Sequence, residues 1–168
     1  MERIMARDWG LDFDFDALTV RETTDAVVLH HTGRAGDDDF SAAALHRAHQ
    51  AQGWLGLGYH YSIRKDGAIE LGRPRWAVGA HVEGENFHTV GIHLCGNFCL
   101  ASPTAAQVES LALLVANLAA DYAIPLDGEH ICGHCAFTAT ACPGDALMAA
   151  LPLIIGKALW YGEQACGR

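Results

Sequence analysis

Short apolar runs and longer segments of helical spacing alternate along the chain. The run Ala26–His31 is apolar and ends in two histidines, which predicts a buried strand with polar side chains at its carboxyl end. Alternation predicts a second strand over Tyr59–Arg64, which returns over Ile69–Leu71 through an Asp-Gly hairpin turn. A further β-rich run covers Thr89–Cys95. These runs predict a sheet that contains both a hairpin and more distant strands.

Three segments are typical of helices. The aspartates at 37–39 are expected to begin a helix that continues through the alanine-rich Ala42–Gln52, since acidic side chains cap free amide groups. Ser102 as N-cap and Pro103 as first residue predict a long helix to about Asp121, with one apolar stripe facing the sheet. A last helix is expected from about residue 144 and beyond Pro152.

The elements together predict an α/β fold, a single domain with a mixed central β-sheet flanked by helices. The folded domain is expected at residues 26–160, after an N-terminal extension at 1–25 and before a C-terminal tail at 161–168. The 168 residues are 51% hydrophobic and 18% charged, which is typical of one globular domain rather than of a disordered chain.

Charge and hydropathy exclude several classes of function. The formal net charge is −9, which argues against nucleic acid as a partner, because phosphate binding needs a Lys/Arg surface. The amino-terminal residues lack the apolar segment of a signal peptide, and no apolar run approaches the roughly 20 residues of a membrane span. We therefore expect synthesis in the cytoplasm, no membrane insertion, and another route for any export.

The ten histidines and six cysteines are the unusual part of the composition. His30 stands at a predicted strand end, His130 and His134 lie in a loop, and Cys142 precedes a helix. Imidazole and thiolate are zinc ligands, and three such places can each deliver one ligand and leave the fourth position to water. Spacing alone leaves alternatives open: hydrogen-bonded histidines, buried thiols, or a closed site or disulfide in the CxxxC and CxxC pairs, which are Cys95, Cys99, Cys132 and Cys135.

A series of short blocks in a fixed order extends over about residues 26–152. The blocks are VLHHT at 28–32, QGW at 52–54, GYHY at 58–61, RKDG at 64–67, GR at 72–73, GAH at 79–81, Asn86, VGI at 90–92, GNF at 96–98 and TACPG at 140–144. In these blocks the chain resembles the zinc-dependent N-acetylmuramoyl-L-alanine amidases of the type-2 amidase and peptidoglycan recognition protein superfamily, which includes small phage lysozyme-type amidases.

The resemblance implies a reaction and a set of residue roles. The reaction is hydrolysis of the amide bond between N-acetylmuramic acid and L-alanine of the peptidoglycan stem peptide, with Zn²⁺ as cofactor. His134 rather than His130 matches the second ligand position, since it lies eight residues before the cysteine of the TACPG block. The implied metal ligands are His30, His134 and Cys142, the implied catalytic residues are Tyr59 and Thr140, and the candidate substrate-binding residues are His31, His81, Asn86 and Arg64.

Other functions are also compatible with the sequence. The same fold can recognise peptidoglycan without cutting it, or regulate a protein partner of unknown identity, and the CxxC pair would also suit a redox or structural zinc protein. The segment at 72–76 departs from the family's usual sequence, which leaves the preferred stem peptide undecided. An amidase of this kind would act on the cell wall after holin-type release or other export, as an endolysin, a recycling enzyme or an effector.

Overall fold

A six-stranded mixed sheet forms the centre of the computed structural model, which describes residues 3–36 and 38–166. In chain order the strands are β1 Ala6–Arg7, β2 Ala26–His31, β3 Tyr61–Ile63, β4 Ile69–Leu71, β5 Thr89–Leu94 and β6 Ile131–Gly133. Their order across the sheet is β1-β4-β3-β5-β2-β6, with only the β3–β4 hairpin antiparallel. The predicted α/β class, with a mixed sheet in a single domain, is confirmed.

Three α-helices flank the sheet: α1 Ala42–Gln50, α2 Ala105–Tyr122 and α3 Asp145–Cys166. Helices α2 and α3 pack on one face, where Leu29 and Ile92 of the central strands join the larger hydrophobic core. Because successive strand residues point to opposite faces, Val28 lies in a separate cluster on the other side. His30 and His93 share that second face, so strand alternation alone directs both imidazoles away from the helices.

Two helix starts differ from the sequence predictions. Helix α1 begins at Ala42, after Ser41, whose hydroxyl accepts a hydrogen bond from the Ala44 amide at 3.2 Å. The prediction of a start at the aspartates was wrong, because Asp39 binds Arg64 instead of capping the helix. Asp37 lies outside the described residues. Helix α2 begins two residues later than predicted, at a reciprocal capping box between Thr104 and Gln107.

Described residues before the predicted domain limit at residue 26 and after the limit at residue 160 are also structured. Strand β1 pairs in parallel with β4 at the edge of the sheet, and Phe13 and Leu18 enter a smaller core with Leu57 under helix α1. Helix α3 continues through Pro152 to Cys166. The limits at residues 26 and 160 stay a prediction. None of the helices in the described ranges is long and apolar enough to cross a membrane.

Candidate active site

Three side chains from three separate elements meet at the carboxyl end of the sheet. His30 ends strand β2, His134 follows β6 in a short 3-10 helix, and Cys142 lies in the loop before α3. Their ligand atoms lie within 4.8 Å of one another, and Sγ of Cys142 is 3.7 Å from Nδ1 of His30. In the described part of the chain this is the one group of three or more His, Cys, Asp or Glu side chains with such spacing.

The donor set and its spacing fit a zinc ion. Two imidazoles and a thiol are typical zinc ligands, and a nitrogen and a sulfur bound tetrahedrally at roughly 2.0 and 2.3 Å lie about 3.5 Å apart. The observed separation of 3.7 Å is close to that value. His30 is 1% exposed, whereas His134 and Cys142 are only partly buried and line an open cleft. His30 is therefore shielded from solvent by the protein, whereas His134 and Cys142 are accessible from the cleft.

Burial keeps both histidines neutral. Desolvation, followed by the charge of His134, holds the pKa of His30 well below its ordinary value, and burial also lowers the pKa of His134. Burial raises the pKa of the Cys142 thiol to about 11. A neutral imidazole presents a free lone pair, and a bound cation deprotonates a coordinating thiol outright. The site therefore favours a bound cation over protonation of its two histidines.

Tyr59 stands beside the three-residue group. Its ring lies 5.0 Å from that of His30 and stacks on His93 at 5.1 Å, with an angle of 23° between the planes. His93 is held from both sides, by the Ser62 hydroxyl at 2.9 Å and the Thr32 hydroxyl at 3.0 Å. Burial, with a smaller effect of Cys142, raises the pKa of the Tyr59 hydroxyl, so the phenol stays protonated.

His93 was not among the predicted site residues. The signal for it was nevertheless present, because a histidine between Ile92 and Leu94 interrupts an apolar strand on the face opposite to both neighbours.

Thr140 lies at the wall of the cleft, two residues before Cys142. Its hydroxyl oxygen accepts a hydrogen bond from the Cys142 amide at 3.2 Å, which leaves the hydroxyl hydrogen available. The backbone of Cys135 donates to the Cys142 carbonyl at 2.9 Å and fixes the loop from the other side. Gly144 completes the turn at a φ of +94°, where a Cβ would lie 2.7 Å from the Cys99 amide nitrogen.

Two of the four candidate substrate-binding residues make contacts beneath the surface of the cleft. Nδ1 of His81 lies 3.0 Å from Nε2 of His30. The side-chain oxygen of Asn86 accepts hydrogen bonds from the amides of His81 and Val82, at 2.8 and 3.0 Å. Asn86 therefore shapes the loop that carries His81, and both side chains still border the cleft.

The other two candidates differ in position. His31 borders the cleft, and its Nδ1 accepts a hydrogen bond from the Phe98 amide at 3.1 Å. Arg64 is not brought to the cleft: its guanidinium binds Asp39 at 2.9 and 3.0 Å and lies 3.5 Å from the buried carboxylate of Glu70. Substrate binding by any of the four stays a prediction, and Arg64 is not among the residues that line the cleft.

The cleft above the three-residue group has a volume of about 1210 Å³. Three exposed aromatic side chains stand on its rim: Trp54, Phe87 and Phe137. The two phenylalanines were not predicted from the sequence, since an isolated aromatic residue in a loop gives no periodic signal. Their exposure, 65% for Phe87 and 38% for Phe137, became visible only in the folded chain.

The cysteines outside the three-residue group form no second site among the described residues. Cys95 is buried and donates to the Phe40 carbonyl at 3.0 Å, and Cys132 is buried beside Val28. Cys99 and Cys135 are exposed and free. In the described ranges neither predicted pair forms a disulfide, and the CxxC pair belongs to no cluster of metal-binding side chains.

Comparisons with known proteins agree with this geometry. The chain is 34% identical over 128 residues to the endolysin of Escherichia phage T7, which covers 73% of this chain and 82% of the phage protein. The solved structure of the N-acetylmuramoyl-L-alanine amidase LysC from Clostridium intestinale superposes with a TM-score of 0.81 at 30% identity, over 92% of this chain and 99% of LysC. A mutant of Drosophila PGRP-LB in complex with tracheal cytotoxin superposes with a TM-score of 0.74 at 25% identity, over 85% and 88% of the two chains.

A family model described as N-acetylmuramoyl-L-alanine amidase matches residues 20–145. This range contains every strand from β2 to β6, the three-residue group and the whole of the cleft that surrounds it. With the phage and bacterial relatives, the match shows that the chain belongs to the type-2 N-acetylmuramoyl-L-alanine amidase family.

Proposed function

We propose that this protein is a zinc-dependent peptidoglycan amidase that hydrolyses the bond between N-acetylmuramic acid and L-alanine of the stem peptide. The observation that carries the proposal is the group of His30, His134 and Cys142 at the floor of an open cleft, with Tyr59 beside it. The relatives named as endolysins and amidases support the same activity.

The three-residue group is the proposed zinc site. A zinc ion held there would supply Lewis-acid polarisation of the amide carbonyl and a water molecule acidified toward neutral pH. The chain contributes two neutral imidazoles and one thiolate, so that the loaded site keeps a net charge of about +1. The fit rests on the donor types and on the 3.7 Å spacing between Sγ of Cys142 and Nδ1 of His30.

Tyr59 is proposed as a hydrogen-bond donor to the oxygen that gains negative charge. A phenol is protonated at neutral pH, and burial raises the pKa of Tyr59 further, while stacking on His93 fixes the ring. A fixed donor stabilises developing charge without reorganisation, and loss of one such donor costs about 3–4 kcal/mol. Tyr59→Phe would remove the donor and keep the ring.

Thr140 is proposed to orient the substrate carbonyl. Because its oxygen already accepts from the Cys142 amide, its hydroxyl hydrogen can be donated into the cleft. The same hydrogen bond couples the position of Thr140 to that of Cys142, two residues away. Thr140→Val would keep the shape of the side chain and remove the hydroxyl, both as donor to the substrate and as acceptor for the Cys142 amide.

Peptidoglycan as the substrate agrees with the shape and lining of the cleft. A volume of about 1210 Å³ exceeds the roughly 300–1,000 Å³ of a pocket for a drug-sized ligand and suits a segment of a polymer. The rim aromatics Trp54, Phe87 and Phe137 offer flat apolar surfaces to sugar rings. One structural relative holds tracheal cytotoxin, and the phage relatives are endolysins, so we propose action on the cell wall.

Mass spectrometry of digested peptidoglycan tests the bond and the metal together. Purified walls with diaminopimelate and with lysine stem peptides are incubated with the protein, with and without a chelator and with zinc added back. We expect free stem peptides that begin with L-alanine, loss of product with chelator, and recovery with zinc. Cys142→Ser should abolish the product, whereas Cys135→Ser, the same change on an exposed thiol outside the group, should retain it.

The same experiment separates the competing functions. A protein that binds peptidoglycan and one equivalent of zinc but releases no peptide from any wall type would be a recognition module. Equal losses in Cys142→Ser and Cys135→Ser would favour a function of the remaining thiols. Either result would overturn the proposed activity.

A further inference from the structure

The second ring nitrogen of His30 faces another histidine. Nε2 of His30 lies 3.0 Å from Nδ1 of His81, while Nδ1 of His30 faces Sγ of Cys142. A histidine that binds a metal through one nitrogen usually donates the hydrogen of the other to a carboxylate, a carbonyl or water. An imidazole partner is ambiguous, because each of its nitrogens can donate or accept. The direction of this hydrogen bond must therefore be set by a third group.

Thr89, the first residue of strand β5, removes the ambiguity. Its hydroxyl oxygen lies 2.8 Å from the carbonyl oxygen of Glu85 and 3.4 Å from Nε2 of His81. A carbonyl only accepts, so the single hydroxyl hydrogen is used on Glu85 at the shorter distance. Thr89 can then only accept from His81. The hydrogen of the His81 ring therefore lies on Nε2, and Nδ1 carries a lone pair.

The lone pair on His81 fixes the tautomer of His30. With Nδ1 of His81 as acceptor, Nε2 of His30 must be the donor at 3.0 Å. The hydrogen of the His30 ring is then on Nε2, which leaves a lone pair on Nδ1 in the direction of Cys142. If these hydrogen bonds ran in the opposite direction, the ring hydrogen of His30 would lie on Nδ1. That nitrogen is the proposed ligand atom and must carry a free lone pair.

Two glycines provide the space that this arrangement needs. A Cβ built on Gly91 would lie 2.6 Å from Cδ2 and Cγ of His81, and a Cβ on Gly79 would collide with the same ring. The backbone of His81 is held by Asn86, whose side chain accepts its amide hydrogen at 2.8 Å. The ring therefore lies in a slot between Gly79 and Gly91 that a side chain at either position would close.

We propose that His81 and Thr89 are positioning residues that hold His30 in the tautomer with a bare Nδ1 and thereby set the zinc affinity of the site. The proposal rests on the zinc site of the proposed function. It assigns His81 a role beneath the cleft rather than in substrate binding, because both of its ring nitrogens are already used, on His30 and on Thr89.

Two substitutions of His81 differ in where they place an acceptor. Asn carries its side-chain oxygen two bonds from Cβ, as His carries Nδ1, so that His81→Asn keeps an acceptor opposite His30. Gln places its polar atoms one bond further, near the position of Nε2, so that His81→Gln loses it. We expect zinc affinity, measured by competition with a chromophoric chelator, to fall about 10–100-fold in His81→Leu and His81→Gln. His81→Asn should recover most of the loss.

A matched pair of substitutions at Thr89 tests the outer end of the hydrogen-bond series from His30 through His81 to Thr89. Thr89→Ser keeps the hydroxyl, whereas Thr89→Val keeps the shape and removes it. Loss of one neutral hydrogen bond corresponds to about a 2- to 10-fold weakening of zinc binding in Thr89→Val, and Thr89→Ser should bind as the wild type does. Two-bond ¹H–¹⁵N spectra of the zinc-free wild type should show the ring hydrogen of His30 on Nε2.

Kinetics at saturating zinc separate positioning from substrate binding. With the site filled, a positioning role predicts the wild-type KM for a muropeptide in the His81 variants, because both ring nitrogens of His81 are already used, on His30 and on Thr89. Equal zinc affinity in the Asn and Gln variants, or a bare Nε2 on His30 in the spectra, would overturn the positioning role. A wild type that binds no zinc would instead refute the proposed function, which the titration of the wild type shows first.

Discussion

Replacement of Arg64 by alanine distinguishes a structural from a substrate-binding role for this residue. The guanidinium binds Asp39 at 2.9 and 3.0 Å and lies 3.5 Å from Oε1 of Glu70. Glu70 is fully buried; its Oε2 accepts from the Ala42 amide at 2.6 Å, and its Oε1 receives no hydrogen bond from the described residues. Arg64 is thus the cation that balances a buried carboxylate at the start of helix α1.

The size of the effect follows from what the substitution leaves behind. Removal of one partner from a fully buried ion pair costs about 3–5 kcal/mol, because the other charge stays buried and unpaired. The Arg64 side chain is 23% exposed, so water can replace part of its contribution. We therefore expect Arg64→Ala to lower the free energy of unfolding by about 2–4 kcal/mol, with little added by the more exposed pair with Asp39.

Urea unfolding measures this loss against a matched control. Arg75 pairs with Asp121 at 2.5 Å, but both side chains are about half exposed, so Arg75→Ala should cost less than about 1 kcal/mol. The double variant Arg64→Ala with Glu70→Gln should regain part of the loss, since the amide oxygen of Gln can still accept from Ala42 without a buried charge. The KM for a muropeptide should be unchanged in the folded Arg64→Ala protein.

Two results would refute this reasoning. A loss in Arg64→Ala no larger than that in Arg75→Ala would show that the buried Glu70 does not depend on the guanidinium. A raised KM with unchanged stability would restore the role in substrate binding that the sequence predicted.

Three further predictions concern the core, the cleft and a surface cluster. Leu114 is fully buried between sheet and helices, so Leu114→Ala should cost about 2–5 kcal/mol in urea unfolding. Phe87→Ala should change stability by less than about 0.5 kcal/mol, since the side chain is exposed, but should raise the KM for polymeric peptidoglycan relative to a soluble muropeptide. Hydrogen bonds that His88 donates to Asp25, and then to Glu85, raise the pKa of His88 above its ordinary value. The resulting stabilisation is present below pH about 6.5 and is lost as pH rises through the raised pKa of the folded state. The stability difference between wild type and His88→Gln should therefore shrink with rising pH, and a difference that grows would contradict the assignment.

Local sequence predicted the elements that depend on local chemistry. Strand β2 has the predicted bounds because six consecutive residues are buried on both sides of the sheet, and the β3–β4 hairpin forms at the Asp-Gly turn with Gly67 at a φ of +86°. The start of α1 was wrong because an aspartate that can cap a helix can equally bind an arginine. Asp39 and Arg64 are 25 residues apart, and that choice is made only when the chain folds.

The candidate site likewise has features that the sequence predicted and features that only the fold determined. The sequence by itself, through its ordered blocks, determined the family, the α/β fold and the identity of the residues that approach one another, including His30, His134 and Cys142. The tertiary structure alone decided that Arg64 balances Glu70 and that His81 lies under His30, 51 residues away. The physical reason is that residue type fixes what a side chain can donate or accept, whereas the partner it meets depends on strand register and on the space that glycines such as Gly91 leave open.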